Sequence, residues 1–320
     1  MLTYILFAIG FVLLIAGANY LVKGASSLAR RFGVSDLVIG LTLVAFGTAT
    51  PELVVNIYAG LQGTGGIALG NIMGSNILNV LLILGVAAVI YPLKIETNTV
   101  RKETPLSLLA AVVVGILAND ALIDGHSISQ LTRIDGLILL IFFAFFLYYA
   151  FGIARQGPVG VDSEASGRPT LLLASLMVIG GLAALTFGAQ WVVDGAIAIA
   201  ENLGVSDEII GLTVVAAGTS LPELATSTAA ALRHNSGIAV GNIVGSNIFN
   251  IFFILGVSAA INPLTLGPQS NLSILAVIIS SLVLLGFMLR GKPEHFLDRK
   301  EGIAFLALYA GYLAYLIIQA

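Results

Sequence analysis

The chain repeats itself at an offset of 171 residues, without a gap. Val34–Leu53 and Val205–Leu224 share 14 of 20 positions, and Ile67–Val86 and Ile238–Val257 share another 14 of 20. The match extends back to Gly17-Ala18, Val22, Gly24 and Ala25, which correspond to Gly188-Ala189, Val193, Gly195 and Ala196. Self-similarity on this scale marks two copies of one structural unit, so the fold has two equivalent halves. The first apolar segment, about Leu2 to Val22, takes part in the repeat. It is therefore expected to be a helix of the fold and not a cleaved leader.

Composition says where such halves live. Of 320 residues, 58% are hydrophobic and 10% charged, and the mean hydropathy is +1.02. A soluble domain carries about 25% charged residues. Uncharged apolar runs of about 20 residues match the length of membrane-spanning helices. An open sheet in lipid would leave its edges unpaired. A barrel would show short alternating strands. The chain has no cysteine, so thiolate metal sites, disulfides and cysteine nucleophiles are excluded. A net charge of -3 and the lack of a long basic run exclude nucleic acid as a partner.

Helices are predicted near 2–22, 37–60, 66–90, 104–119, 133–153, 171–193, 208–232, 237–261, 271–290 and 302–319, five in each half. The halves are 1–153 and 170–320, joined by a linker over 154–169 where Gly, Pro, Ser and both charge signs cluster. With an odd number of spans per half, the second half enters the membrane from the other side, and the repeats are inverted. Of the 14 Lys and Arg, 13 fall in loops on one side and only Arg133 on the other. The positive-inside rule places the 13, and the linker, in the cytoplasm. The expected fold is an all-α polytopic protein of the cell (inner) membrane, with ten transmembrane helices in two inverted five-helix repeats and both termini outside.

Within this apolar scaffold each half carries two polar stretches. The first pair is Gly47-Thr48-Ala49-Thr50-Pro51-Glu52 and Gly218-Thr219-Ser220-Leu221-Pro222-Glu223. The second is Gly70-Asn71-Ile72-Met73-Gly74-Ser75-Asn76 and Gly241-Asn242-Ile243-Val244-Gly245-Ser246-Asn247. Glu52 and Glu223 are the only acids of the 17 expected inside the membrane, and no Lys, Arg or His accompanies them. A buried carboxylate without a cationic partner must be protonated or take its counter-ion from outside the protein. Thr48 and Glu52 lie four apart on one helix face, as do Thr219 and Glu223. Asn71, Ser75 and Asn79 form a second stripe, repeated by Asn242, Ser246 and Asn250. Pro51 and Pro222 are expected to break their helices around Gly47 and Gly218 and free backbone carbonyls. An all-oxygen donor set suits hard cations such as Ca²⁺ and Na⁺. Two carboxylates neutralise one divalent ion or two monovalent ones.

The paired GT-x-x-PE and GN-x-x-GSN motifs resemble the alpha repeats of the sodium/calcium exchangers, in the cation/Ca²⁺ antiporter superfamily. The resemblance implies Na⁺/Ca²⁺ antiport by alternating access, with the transported Na⁺ and Ca²⁺ as the bound ions, no cofactor and no enzymatic activity. It implies as ligands Glu52, Glu223, Thr48, Thr219, Ser220, Ser75 and Ser246, with Asn79 and Asn250 completing a central diamond. The carbonyls of Ala45 and Ala216 are added one turn earlier. The first and sixth helices, which carry no ligand, are expected to slide or rock against the rest, with Gly17-Ala18 and Gly188-Ala189 as smooth surfaces. The partners implied are lipid and the two ions, with a monomer sufficient.

Two departures stand out. Family members often carry Asp at the position of Asn250, whereas both central positions here are Asn. Ala49 stands where the second half has Ser220, so the two outer Na⁺ sites are expected to differ. Proton coupling is the alternative, although the small Gly74-Ser75 and Gly245-Ser246 pairs favour Na⁺; a passive channel ranks lower. Simple kinks and close helix packing compete for the Pro and Gly positions, and interhelical hydrogen bonding competes for the Ser and Asn positions.

Overall fold

A computed structural model describes residues 2–63, 65–120, 128–154, 169–202, 216–267, 269–290 and 295–319. The first half contains α1 (Leu2–Phe32), α2 (Asp36–Ile39), α3 (Ala45–Thr48), α4 (Thr50–Leu61), α5 (Gly65–Leu78), α6 (Leu84–Ile90), α7 (Thr104–Leu117) and α8 (Arg133–Ala154). The second contains α9 (Leu171–Asn202), α10 (Ala216–Thr219), α11 (Leu221–Leu232), α12 (Ser236–Ile248), α13 (Gly256–Ile261), α14 (Ser270–Arg290) and α15 (Arg299–Gln319). π-helical turns at Gly40–Val44, Asn79–Ile83 and Phe249–Leu255 splice α2 to α3, α5 to α6 and α12 to α13, and another at Thr99–Glu103 leads into α7.

Among the described residues, six helices are long and apolar enough to cross a membrane, and the bent pair Asp36–Thr48 plus Thr50–Leu61 makes a seventh. The rods Gly65–Ile90 and Ser236–Ile261 are 78% and 94% buried, against 33% for α1 and 22% for α8. The polar motif helices therefore form the centre of the bundle, and α1, α8 and α9 lie nearer its surface.

Glycine sets the closest approaches. A Cβ on Gly10 would lie 2.8 Å from the Gly188 carbonyl, one on Gly17 2.8 Å from Gly181, and one on Gly24 2.9 Å from Ala174. These contacts step by seven residues in opposite directions along α1 and α9, which pair antiparallel, backbone against backbone, as small residues permit. At the centre, α12 lies on α2 and α3 in the same way. A Cβ on Gly241 would be 2.7 Å from the Leu37 carbonyl, and one on Gly245 2.6 Å from that of Leu41. Gly241 and Gly245 thus serve packing. The counterpart contacts of Gly70 and Gly74 would fall at about 208–216, largely outside the described residues.

Several sequence expectations need correction. The first helix, expected over 2–22, runs to Phe32, and the sixth, expected over 171–193, runs to Asn202. Lys23 and Asp194 mark the edge of the apolar zone, but neither interrupts a backbone ladder. The break after α1 is Gly33, whose φ of 65° suits glycine alone. The seventh helix, expected from 208, is described only from Ala216. The all-α expectation missed two antiparallel ribbons: β1 (Leu93–Ile95) with β4 (His295–Leu297), and β2 (Gln130–Leu131) with β3 (Leu264–Thr265). Each joins the loop after a central rod to a loop of the other half. Strands of two or three residues are too short to leave an alternating pattern in sequence.

Candidate ion site

Both proline-glutamate stretches break their helix. Ala49 (φ -78°, ψ 6°) separates α3 from α4, and Ser220 (φ -89°, ψ 7°) separates α10 from α11. Each lies in the bridge region between helix and strand. Pro51 and Pro222 sit in the first turn of the following helix, where their missing N–H costs nothing. The axis bends by 48° at Ala49. The break places Glu52 and Glu223 in the first turns of α4 and α11, where the helix N-terminus favours negative charge.

The two carboxylates are 1% exposed and gather hydroxyls from both halves. Ser220 donates to Glu52 Oε1 at 3.0 Å, and Ser75 approaches the same oxygen at 3.5 Å. Ser220 and Ser75 touch at 3.2 Å. Ser246 approaches Glu223 Oε1 at 3.5 Å. The Thr219 hydroxyl also faces Glu52, and that of Thr48 faces Glu223. Each carboxylate is thus served by its own half's serine and the other half's threonine. The symmetry fails at Ala49, which gives Glu223 no counterpart of Ser220.

Asn79 and Asn250 lie in the π-helical turns of the two central rods. Their Nδ2 atoms donate to asparagines of the opposite half, Asn79 to Asn247 Oδ1 at 3.0 Å and Asn250 to Asn76 Oδ1 at 2.9 Å. Four oxygens are then left buried without a hydrogen-bond partner: Glu52 Oε2, Glu223 Oε2, Asn79 Oδ1 and Asn250 Oδ1. The buried polar side chains among the described residues include no Lys, Arg or His. A carboxylate pair with buried, unpaired oxygens and no cationic side chain beside it among the described residues must be protonated or take a cation from solution.

The carbonyls fit less simply. Ala45 O already accepts the Ala49 N–H at 3.0 Å and the Thr48 hydroxyl at 3.4 Å. The carbonyl left without an N–H four residues on is that of Gly47, facing Pro51. Ala216 opens the described part of α10.

Asn242 bridges packing groups. It accepts from Thr48 Oγ1 at 3.0 Å and donates to Ser227 Oγ at 3.0 Å, tying α12 to α3 and α11. Asn56 donates to the Glu52 carbonyl at 2.9 Å. Sequence reasoning also missed a third buried acid. Glu103, expected near a helix end, is fully buried and bonded to the Tyr149 hydroxyl. Its place just before Thr104-Pro105 hid it, because the π-helical turn carries the span past the expected edge.

A cavity of about 820 Å³ lies apart from this site, at the end of the molecule carrying Arg30, Lys94, Arg233 and His234. That end is called the basic end below. Here Arg233 clamps Asn19 of α1, with its Nη2 at 2.9 Å and Nε at 3.1 Å from Asn19 Oδ1. His234 is an exposed turn residue, as expected, and also stacks on Tyr91 at 4.2 Å.

The family profile described as sodium/calcium exchanger protein matches residues 2–152 and 173–318. The chain is 35% identical to the sodium/calcium exchanger MaX1 of Methanosarcina acetivorans, covering 98% of each chain. It is 40% identical to the inner membrane protein YrbG of Escherichia coli over 82% of this chain and 81% of that one. Its structure superposes on that of the sodium-calcium exchanger NCX_Mj with a TM-score of 0.83, at 35% identity and 98% coverage of each chain. Related structures of NCX_Mj were soaked with Na⁺ and with Ca²⁺ or Sr²⁺.

Proposed function

The chain belongs to the sodium/calcium exchanger family, and on that premise we propose that it carries Ca²⁺ out of the cell in exchange for entering Na⁺. It is a multi-pass membrane protein of a cation-exchanging family. The finer reading rests on one observation, the four buried unpaired oxygens of Glu52, Glu223, Asn79 and Asn250.

Electrostatics explains why such a site exchanges ions. Taking a bare carboxylate into a medium of low dielectric costs of order 20 kcal/mol in the idealised limit. Two bare carboxylates cannot be closed off from water together. The site can be occluded only when cargo cancels its charge, and one Ca²⁺ or two Na⁺ do so equally. Ions of either kind compete for the same oxygens, and the empty carrier does not cross. Coupling follows from the cost of the empty state.

Around Glu52 and Glu223 the proposed ligands are Thr48, Thr219, Ser75, Ser246, Ser220, Asn79 and Asn250, with carbonyls from the broken helices. Ten spans in two inverted halves, 1–153 and 170–320, hold them. The basic end and the 154–169 linker face the cytoplasm, and both termini lie outside an inner cell membrane. The antiparallel pair α1 and α9 slides along the site helices, touching them where a Cβ on Gly47 would meet Leu182 and one on Gly218 would meet Val193. One chain contains every ligand, so a monomer suffices.

The test is ⁴⁵Ca²⁺ uptake into proteoliposomes loaded with Na⁺. An outward Na⁺ gradient is expected to drive accumulation, and dissipating it to stop it. Uptake that ignores Na⁺ and follows a pH gradient would replace Na⁺ coupling with proton coupling. Flux that needs no counter-ion would make the protein a channel.

A further inference from the structure

Asparagine is an ambiguous ligand. Its oxygen attracts a cation and its NH₂ repels one, yet the two ends have nearly the same shape. For Asn79 and Asn250 to serve at the centre, something must hold each amide with its oxygen inward. Asn76 and Asn247 are placed to do this, and neither belongs to the ligand set above.

The bonding is crossed and occurs twice. Asn76 Oδ1 accepts from Asn250 Nδ2 at 2.9 Å, and Asn247 Oδ1 accepts from Asn79 Nδ2 at 3.0 Å. Both acceptors are buried, at 0% and 2% exposure. Each occupies the NH₂ end of an amide from the opposite half and leaves that amide's oxygen unpaired. Asn76 is itself held in this orientation, because its own Nδ2 is directed at the Asn247 carbonyl at 3.4 Å.

We propose that Asn76 and Asn247 are positioning residues that lock the amides of Asn250 and Asn79 oxygen-inward, making the centre of the ion site acceptor-only. This rests on the ion-site reading above. It extends that reading by making each half of the molecule responsible for a ligand of the other. A carboxylate at position 79 or 250 would need no such help, because both its oxygens accept. With Asn at both central positions, the orienting pair becomes necessary.

The experiment is equilibrium ⁴⁵Ca²⁺ binding to purified full-length protein, with Na⁺ competition, in a set of single and double variants. Asn76→Ala is expected to weaken Ca²⁺ binding about 10-fold, the lower end of what removing a group that orients a metal ligand costs. In an Asn250→Asp background the same change is expected to cost little, because both oxygens of the carboxylate accept and no orienting partner is needed there. In an Asn79→Asp background its full cost remains. Asn247→Ala shows the converse pattern, relieved by Asn79→Asp and unaffected by Asn250→Asp. Should one alanine variant fail to fold, the other carries the same crossed prediction.

A merely structural role would make each alanine cost the same in both backgrounds, and that result would overturn the proposal. So would coupling within one half, Asn76 with Asn79. A wild-type protein that binds neither ion would overturn the ion-site reading as well, whereas normal binding without crossed coupling removes only the positioning role.

Discussion

The two glutamates are alike in position and unlike in surroundings. Replacing either by Gln removes half of the site's negative charge, with almost no change in shape. Glu52→Gln and Glu223→Gln are each expected to lower Ca²⁺ affinity at least about 100-fold, since losing one partner of a buried charge interaction costs about 3 kcal/mol or more. Isothermal titration measures this directly, and near-normal affinity would contradict the assignment. Ser220 is the residue that breaks the symmetry. Its hydroxyl touches both Glu52 and Ser75, while Ala49 offers Glu223 nothing. Ser220→Ala is expected to weaken Na⁺ competition roughly fivefold, the value of about one lost hydrogen bond. The glutamates, threonines and serines were legible in sequence because polar groups stand out in an apolar chain. The direction of each asparagine bond was not, since the partner lies in the other half. Glu103 was also missed, because proximity to a helix end usually means exposure.

Helices here are joined by contacts too close for a side chain, and those contacts carry separate predictions. Gly245→Ala would push a methyl to 2.6 Å from the Leu41 carbonyl, whereas Gly286→Ala meets no described atom within 4 Å. The first is expected to destabilise by about 1–3 kcal/mol, the usual cost of overpacking, and the second to leave the melting temperature in detergent unchanged. Arg233, at the end of α11, clamps Asn19 of α1 and so fastens the basic end of the helix pair proposed to slide. The residues one repeat away, Gln190 and Gln62, can form only a neutral amide pair at the opposite end. Arg233→Gln is expected to open the basic end more often, about threefold, for the loss of roughly 0.6 kcal/mol from a solvent-exposed charged hydrogen bond. The native chain has no cysteine, so a single one at Ala18 reports this by its labelling rate with a thiol reagent. Unchanged labelling would contradict the clamp. Helix positions were legible from apolar runs and from the proline. Helix lengths were not, because a charge such as Lys23 ends the lipid-facing zone without ending the hydrogen-bond ladder.

Across the whole molecule, the 171-residue repeat accounts for the pairing of α1 with α9, the two central rods and the crossed asparagines. Five expected spans per half and the 13-to-1 split of basic residues predict that the two halves are inverted in the membrane. Single cysteines test this in whole cells. Thr3→Cys is expected to react with a membrane-impermeant reagent added outside, and Ser163→Cys, in the linker, only after permeabilisation. The reverse pattern would invert the proposed topology, while the direction of Ca²⁺ movement would still be set by the ion gradients. Sequence could not show that Arg233 pairs with Asn19, since the two lie 214 residues apart in different halves. The central claim is that one site serves both ions in turn. Anomalous diffraction from crystals soaked in Sr²⁺, as a stand-in for Ca²⁺, with rising Na⁺ tests it most directly. The account predicts one Sr²⁺ peak among Glu52, Glu223, Asn79 and Asn250, fading as Na⁺ rises; a peak elsewhere, or one indifferent to Na⁺, would contradict it.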